Sequence, residues 1–203
     1  KLVVAYRDQN NSNRGTVRVG TVDTVARTVA WGTPVVFSSA AVIWCSAAYD
    51  PVSGQVAISY DANAPTCIMG TVSGTSMTFG TASTIATGRV GYTSTVYDSV
   101  NNRIVVTYTI VTGGDYSGPV MAAVGTVSGT SISFGGSIQV TGSNNYYWVM
   151  STFDPVNNRV VVSYSIFITS NGNYGYIKAF QVSGSTVTAI GGQELILGPS
   201  YLW

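Results

Sequence analysis

The sequence contains no histidine. That excludes metal sites built on imidazole and every catalytic triad that needs a histidine base. Charge is scarce too: nine Lys and Arg and eight Asp and Glu among 203 residues, a net charge of +1. Phosphate binding needs clustered cations, and these are scattered, so nucleic acid is not an expected partner. No apolar run reaches the roughly 18 residues of a membrane span. The chain opens on Lys1, with no Met and no signal-like segment, and reads as a processed or excised piece. No glycine-rich phosphate loop leads from a strand into a helix, and no nucleophile motif is present.

Cys45 and Cys67 are the only cysteines. The strand assignment below puts them on the first and third strands of one unit. One strand between them means two steps of about 4.8 Å, too far for a disulfide. Two free, buried thiols are expected.

What the chain does have is internal repetition. Tyr-Asp-Pro-Val-Ser-Gly-Gln-Val-Ala-Ile-Ser-Tyr (49–60) recurs in related form at 97–108 and 153–164, and Lys-Leu-Val-Val-Ala-Tyr (1–6) is a truncated fourth copy. Val-Gly-Thr-Val (19–22) returns at 69–72 and 124–127, with Ala-Phe-Gln-Val (179–182) in the fourth place. Trp-Gly (31–32), Phe-Gly (79–80 and 134–135) and Ile-Gly (190–191) form a third series. The spacing between copies runs from 48 to 56 residues. Three motifs in one order at one period are the mark of a repeat architecture.

Each unit reads as four strands, because β-branched and aromatic residues dominate and no segment has a 3.6-residue period. Strand A is expected over 42–49, 91–97 and 147–153, and cut short at 200–203. Strand B covers 2–6, 56–60, 104–108 and 160–164. Strand C ends at Val22, Val72, Val127 and Val182, and strand D leads into Gly32, Gly80, Gly135 and Gly191. Asp50-Pro51 and Asp154-Pro155 suit the opening of a type I turn. Ser53-Gly54, Asn101-Asn102 and Asn157-Asn158 tolerate positive φ.

Strand B is apolar at nearly every position, as in Ile104-Val105-Val106 and Val160-Val161-Val162, so both of its faces must be covered. Strand A carries small residues such as Ser46, Ala47, Thr93, Ser94 and Ser151, which suit strands crowded round an axis. Four-stranded repeats of this length predict an all-β fold, a β-propeller of four-stranded antiparallel blades forming one domain over 1–203. The units run over about 1–54, 55–102, 103–158 and 159–203. A β-solenoid is the alternative. The spacing leaves about ten residues, one A–B hairpin, absent between Trp203 and Lys1. Either the ring closes at four units around that gap or the units belong to a longer array; closure is favoured.

In such a fold the B–C and D–A connections share one end. The interval from the strand-B Tyr to the strand-C Gly position (Phe180 in the fourth unit) is 14, 10, 17 and 16 residues, whereas Asp to Tyr across A–B is always ten and Val to Gly across C–D is 10, 8, 8 and 9. Loops on a rigid scaffold carry function. The candidate binding residues are therefore Asp8, Asn10, Asn13, Asp61, Arg89, Asp115, Tyr116, Tyr146, Asn173, Tyr174 and Tyr201. Amides and carboxylates between tyrosines suit carbohydrate, since polar groups bond hydroxyls and aromatic faces cover apolar sugar faces. The same residues also make ordinary turns. Asp8, Asn10 and Ser12 place oxygens at alternate positions, a weak calcium pattern that lacks the closing Glu and includes Arg14. No cofactor is expected. Trp44, Tyr92, Trp148 and Trp203 share one repeat position on strand A, as core packing or as an aromatic ring near the axis.

Glycoside hydrolysis needs two carboxylates about the scissile bond. Asp50, Asp98 and Asp154 belong to turns at the opposite end, and Asp8, Asp61 and Asp115 come one per unit. The chain reads as a non-catalytic module, with glycosidase the weaker alternative.

Phe-Asp-Pro-Val-Asn-Asn-Arg-Val-Val-Val-Ser-Tyr (153–164), with Val-Gly-Thr-Val-Ser-Gly-Thr-Ser-Ile-Ser-Phe-Gly (124–135), resembles the propeller-like repeats of phage structural and receptor-binding proteins and of bacterial surface adhesins. The resemblance covers all four units and rests on turns and strands. It implies attachment to a cell-surface glycan or receptor, at an extracellular or virion surface. The alternative is a structural repeat that contacts neighbouring subunits of a virion or filament. It transfers no binding residue.

Overall fold

The computed structural model describes residues 1–112, 117–168 and 172–200. The described chain is built of strands and contains no α-helix, so no helix is long and apolar enough to cross a membrane. Four antiparallel sheets follow one another. Sheet 1 holds β1 (Leu2–Asp8), β2 (Arg14–Asp23), β3 (Thr28–Trp31) and β4 (Val35–Ala41). Sheet 2 holds β5 (Cys45–Asp50), β6 (Gln55–Asp61), β7 (Pro65–Ser73), β8 (Ser76–Phe79) and β9 (Ser83–Thr84). Sheet 3 holds β10 (Val90–Asp98), β11 (Arg103–Ile110), β12 (Val120–Ser128), β13 (Ser131–Phe134) and β14 (Ile138–Gln139). Sheet 4 holds β15 (Tyr146–Asp154), β16 (Arg159–Ile168), β17 (Gly172–Ser183) and β18 (Thr186–Ser200).

The sequence units start at the second strand, so each straddles two sheets. The expected D strand is broken in sheets 1 to 3: β3 and β4 both pair with β2, β8 and β9 with β7, and β13 and β14 with β12. Sheet 1 has no inner strand beside β1 among the described residues. Cys45 and Cys67 lie on β5 and β7 with β6 between them, and both thiols are free.

The A–B turns form as their chemistry dictates. Asp50 Oδ1 accepts from the Val52 and Ser53 amides, and Oδ2 accepts from Ser53 Oγ at 2.7 Å. Asp98 and Asp154 repeat this with Asn101 and Asn157 as the third partner. Gly54, Asn102 and Asn158 close the turns at φ of 70°, 53° and 51°, the left-handed region that Gly and Asn tolerate.

Three apolar clusters fill the spaces between successive sheets. Side chains alternate along a strand, so each sheet presents two apolar faces. Val56, Ile58 and Tyr60 face sheet 1, whereas Ala57, Cys67 and Met69 face sheet 3. Ile104, Val106 and Tyr108 face sheet 2, whereas Val105, Ala122 and Val124 face sheet 4. This is why the second strands are apolar at nearly every position.

The inner strands are small for a more specific reason than crowding. The Thr95 amide donates to Ser46 Oγ at 2.9 Å, and the Ser151 amide to Ser94 Oγ at 2.9 Å. Thr95 Oγ1 also pairs with Ser59 Oγ, and Ser151 Oγ with Thr107 Oγ1, each at 2.5 Å. Hydroxyls thus link one sheet to the next. The equivalent positions between sheets 1 and 2 are Ala5 and Ala47, so neither hydroxyl is left without its mate.

The recurring aromatic–glycine pair clasps adjacent sheets. A Cβ on Gly32 would lie 2.0 Å from the Thr75 carbonyl oxygen, and one on Gly80 would lie 1.8 Å from that of Thr130. Each glycine therefore lets an outer strand rest on the next sheet's C–D turn. Gly20, Gly70 and Gly125 make room instead for the outer-strand side chains over them, among them Trp31, Phe79 and Phe134. Sheet 4 reverses the sizes, with Phe180 opposite Ala189. That register puts Ile190, not Gly191, in the place of the clasp glycine, one residue from the expected position.

Candidate functional site

The B–C and D–A connections meet at one end, tied by hydrogen bonds. The Val42 amide donates to the Asn13 carbonyl at 2.9 Å, Val111 to Arg89 at 2.9 Å, and Tyr146 to Gly118 at 3.2 Å. At the other end, Asn101 Nδ2 donates to the Val182 carbonyl and Arg103 Nε to that of Gly184, joining A–B and C–D turns.

The candidate site lies at the first end. Trp44, Tyr92 and Trp148, from three successive sheets, touch one another: their ring centroids are 4.7, 5.1 and 5.9 Å apart. A side chain leading into sheet 2 thus meets one from sheet 4. Tyr92 is buried, Trp44 half-buried, and Trp148 is 54% exposed. Trp148 sits at a break in the β15–β16 register with φ 54°, a conformation that costs a bulky residue roughly 1–2 kcal/mol. The Trp44 indole N–H is buried and has no hydrogen-bond partner among the described residues.

Beside the rings lies a cavity of about 160 Å³ lined by Ala41, Ile43, Asp61, Asn63, Arg89 and Val90. Asp61 Oδ1 accepts from the Ile43 amide at 2.6 Å and the Trp44 amide at 2.9 Å. These bonds fix the chain at the first aromatic ring and delay β5 to Cys45, three residues beyond its expected start. Burial raises the Asp61 carboxyl above its ordinary range, against the two amides and the nearby Arg7. Asn63 and Arg89 are exposed at the rim.

A larger cleft of about 650 Å³ lies at the opposite end, walled by Lys1 and Val3 of β1 and Ala47, Ala48 and Tyr49 of β5. It follows the side of β1 that lacks an inner strand, which accounts for it as a packing gap.

The other sequence candidates disperse. Tyr146 is 2% exposed and packs edge-on against Tyr164 at 4.9 Å; it is a core residue, not a surface one. Asn173 and Tyr174 are half-buried within β17, paired with Phe167 and Ile166, because β16 and β17 run on through most of the expected loop 165–175. Asp8 Oδ1 accepts from the Asn10 amide at 3.1 Å and caps the one-turn 3-10 helix Gln9–Asn11. Arg7 Nε donates to Asn13 Oδ1 at 2.8 Å. Oxygens of Asp8 and Asn13 are thus engaged locally and a guanidinium stands among them, so Asp8, Asn10, Ser12 and Asn13 form a turn ill-suited to calcium. Among the described residues no three Cys, Asp or Glu side chains gather as a metal site would require. Asp115, Tyr116 and Tyr201 lie outside the described residues, as does Trp203. Trp44 and Trp148 were visible in the sequence only as a shared repeat position; that they meet depends on how the sheets pack. No family model matches the chain, and no curated protein matches it.

Proposed function

We propose that the four sheets are blades of a β-propeller, and that the end carrying the B–C and D–A connections is a non-catalytic surface for a cell-surface glycan, on an extracellular or virion-surface protein. The observation that carries this reading is Trp148. Its large ring is half exposed where the three rings meet, in a backbone conformation that a tryptophan adopts only at a cost. Strain held at an exposed aromatic residue points to use. Tyr92 and Trp44 support it from below, while Arg89, Asn63 and Asp61 supply hydroxyl-bonding groups within the same connections. That pairing of an aromatic face with a few polar groups is how sugar rings are held. Binding is favoured over turnover because, among the described residues, Asp61 is the one carboxylate lining the cavity and its Oδ1 already holds two amides.

The test is a glycan array followed by titration calorimetry. A Trp148→Gly variant should keep the fold, since Gly takes φ 54° freely, and lose at least about tenfold in affinity. A wild-type protein that binds no glycan on the array, or a Trp148→Gly variant that binds as tightly, overturns the reading.

A further inference from the structure

Three times in this chain, alternate residues of a second strand pack against the sheet before them. Sheet 4 does so with Val160, Val162 and Tyr164, as sheets 2 and 3 do with their equivalents. Sheet 1 carries the same face, and no described residue covers it to the same degree. Leu2, Val4, Val22 and Trp31 lie on it, 40%, 39%, 47% and 40% exposed. They share that face because Leu2 pairs with Gly20, Gly20 with Trp31, and Val4 with Arg18 across the ladders. Sheet 4, the last of the series, has the opposite face unfilled. Val161, Ile177 and Ala179 stand there where sheet 3 has the buried Val105, Ala122 and Val124, and all three are only half-buried. Lys178, between the last two, points the other way, its Nζ donating to the Val140 carbonyl of sheet 3 at 2.6 Å.

We infer that the exposed face of sheet 1 is the docking surface for the exposed face of sheet 4 of a second copy of this chain. The two faces are of the kinds that mate at all three internal junctions, so the contact continues an interface the chain already builds. Arg18 is the charged side chain in the middle of the sheet 1 face, with Asp8 and Arg14 at its edge beside the B–C turn. Lys178 occupies the same repeat position and reaches a carbonyl of the preceding sheet, so this junction accepts a cation there. Arg18 lies over the Trp31 ring at 5.7 Å, with Nε donating to the Gly32 carbonyl at 3.2 Å, which keeps the face flat. The contact is head-to-tail: each copy offers two different faces, and association propagates or closes into a ring. It uses the sides of the molecule and is independent of the glycan reading.

Sedimentation velocity between about 1 and 100 μM tests it. The wild-type chain should gain mass above the monomer as concentration rises. Val4→Lys blocks one face and Ile177→Lys the other; each alone should stay monomeric with an unchanged circular dichroism spectrum. Mixed, they should form a one-to-one dimer, because each retains the face the other has lost. Ala179→Lys replaces Ile177→Lys if that variant misfolds. A wild-type chain monomeric at every concentration, as when sheets 1 and 4 shut against each other within one copy, overturns the proposal. So does a mixture that stays monomeric.

Discussion

At the residue scale, single atoms decide whether a position tolerates change. Gly80 and Gly135 are equivalent in the repeat, yet a methyl on Gly80 would collide with the Thr130 carbonyl whereas one on Gly135 would meet Ser185 at an ordinary 3.4 Å. Gly80→Ala should therefore destabilise by roughly 2–3 kcal/mol and Gly135→Ala by less than about 1. Urea midpoints measured side by side check this; equal losses would refute the clasp. The glycines were legible as a motif, but their cause was not, since the nearest atom belongs to a turn some fifty residues away. The same holds for Trp148. Its repeat position was plain, while its positive φ arises from a break in pairing that no local pattern announces.

At the scale of the strand and turn, the sequence was most readable where chemistry is local. Asp50, Asp98 and Asp154 each bind amides two and three residues on, so their turns could be read directly. Asp98 is fully buried, and Asp98→Ala should cost roughly 2–3 kcal/mol by leaving the Val100 and Asn101 amides without their acceptor. Asp23 makes similar bonds to Val25 and Ala26 in an exposed turn, and Asp23→Ala should cost no more than about 1 kcal/mol. Thermal denaturation of the two variants should rank them in that order. Phe180 opposite Ala189 gives a further check. Phe180→Gly should cost roughly 3–5 kcal/mol, and adding Ala189→Phe should restore part of it, because the pair then has the sizes of Gly125 and Phe134. A double-mutant cycle with no coupling would contradict the size exchange.

Where chemistry is long-range, local sequence does not show it. Tyr146 follows Asn144-Asn145 and so looked like part of a loop, yet Tyr164 from the next strand draws it into the core. Asn173 and Tyr174 looked like loop residues because Asn and Gly surround them, but pairing with β16 carries the strand through them. The break in the outer strands was not legible, since it follows from two short strands meeting one long neighbour. Of the candidate site, Asp61 and Arg89 are singled out by loop position alone, and both line the same cavity. The role of Asp61 in holding the Ile43 and Trp44 amides was not visible at an interval of seventeen residues.

For the whole molecule, packing sheet on sheet buries groups that ionise only in alkali. Burial pushes Cys45 up to about 11, and Cys67 and Tyr60 to about 12, from ordinary values of 9.0 and 10.0. Asp61 raises Cys45 further and Cys67 raises Tyr60. Above about pH 9 the unfolded chain releases these protons first and so binds fewer than the folded chain, and stability falls as pH rises. Their contribution is complete below about pH 9 and is lost progressively up to about pH 12. The urea midpoint should thus be lower at about pH 10.5 than at about pH 7, and less so in a Cys67→Val variant. Neither thiol should react with Ellman's reagent at about pH 8 without denaturant, because almost no thiolate is present.

The clasp between outer strand and neighbouring turn reaches further than stability. A residue inserted into the turn at Gly74-Thr75 or at Gly129-Thr130 would disturb two sheets at once, its own and the one leaning on it. An insertion between Asp61 and Pro65 disturbs neither. Mutation is therefore filtered unequally at the two ends of the molecule, and a lineage can rewrite the end bearing Trp44 and Trp148 more freely than the end where the glycines rest on neighbouring turns.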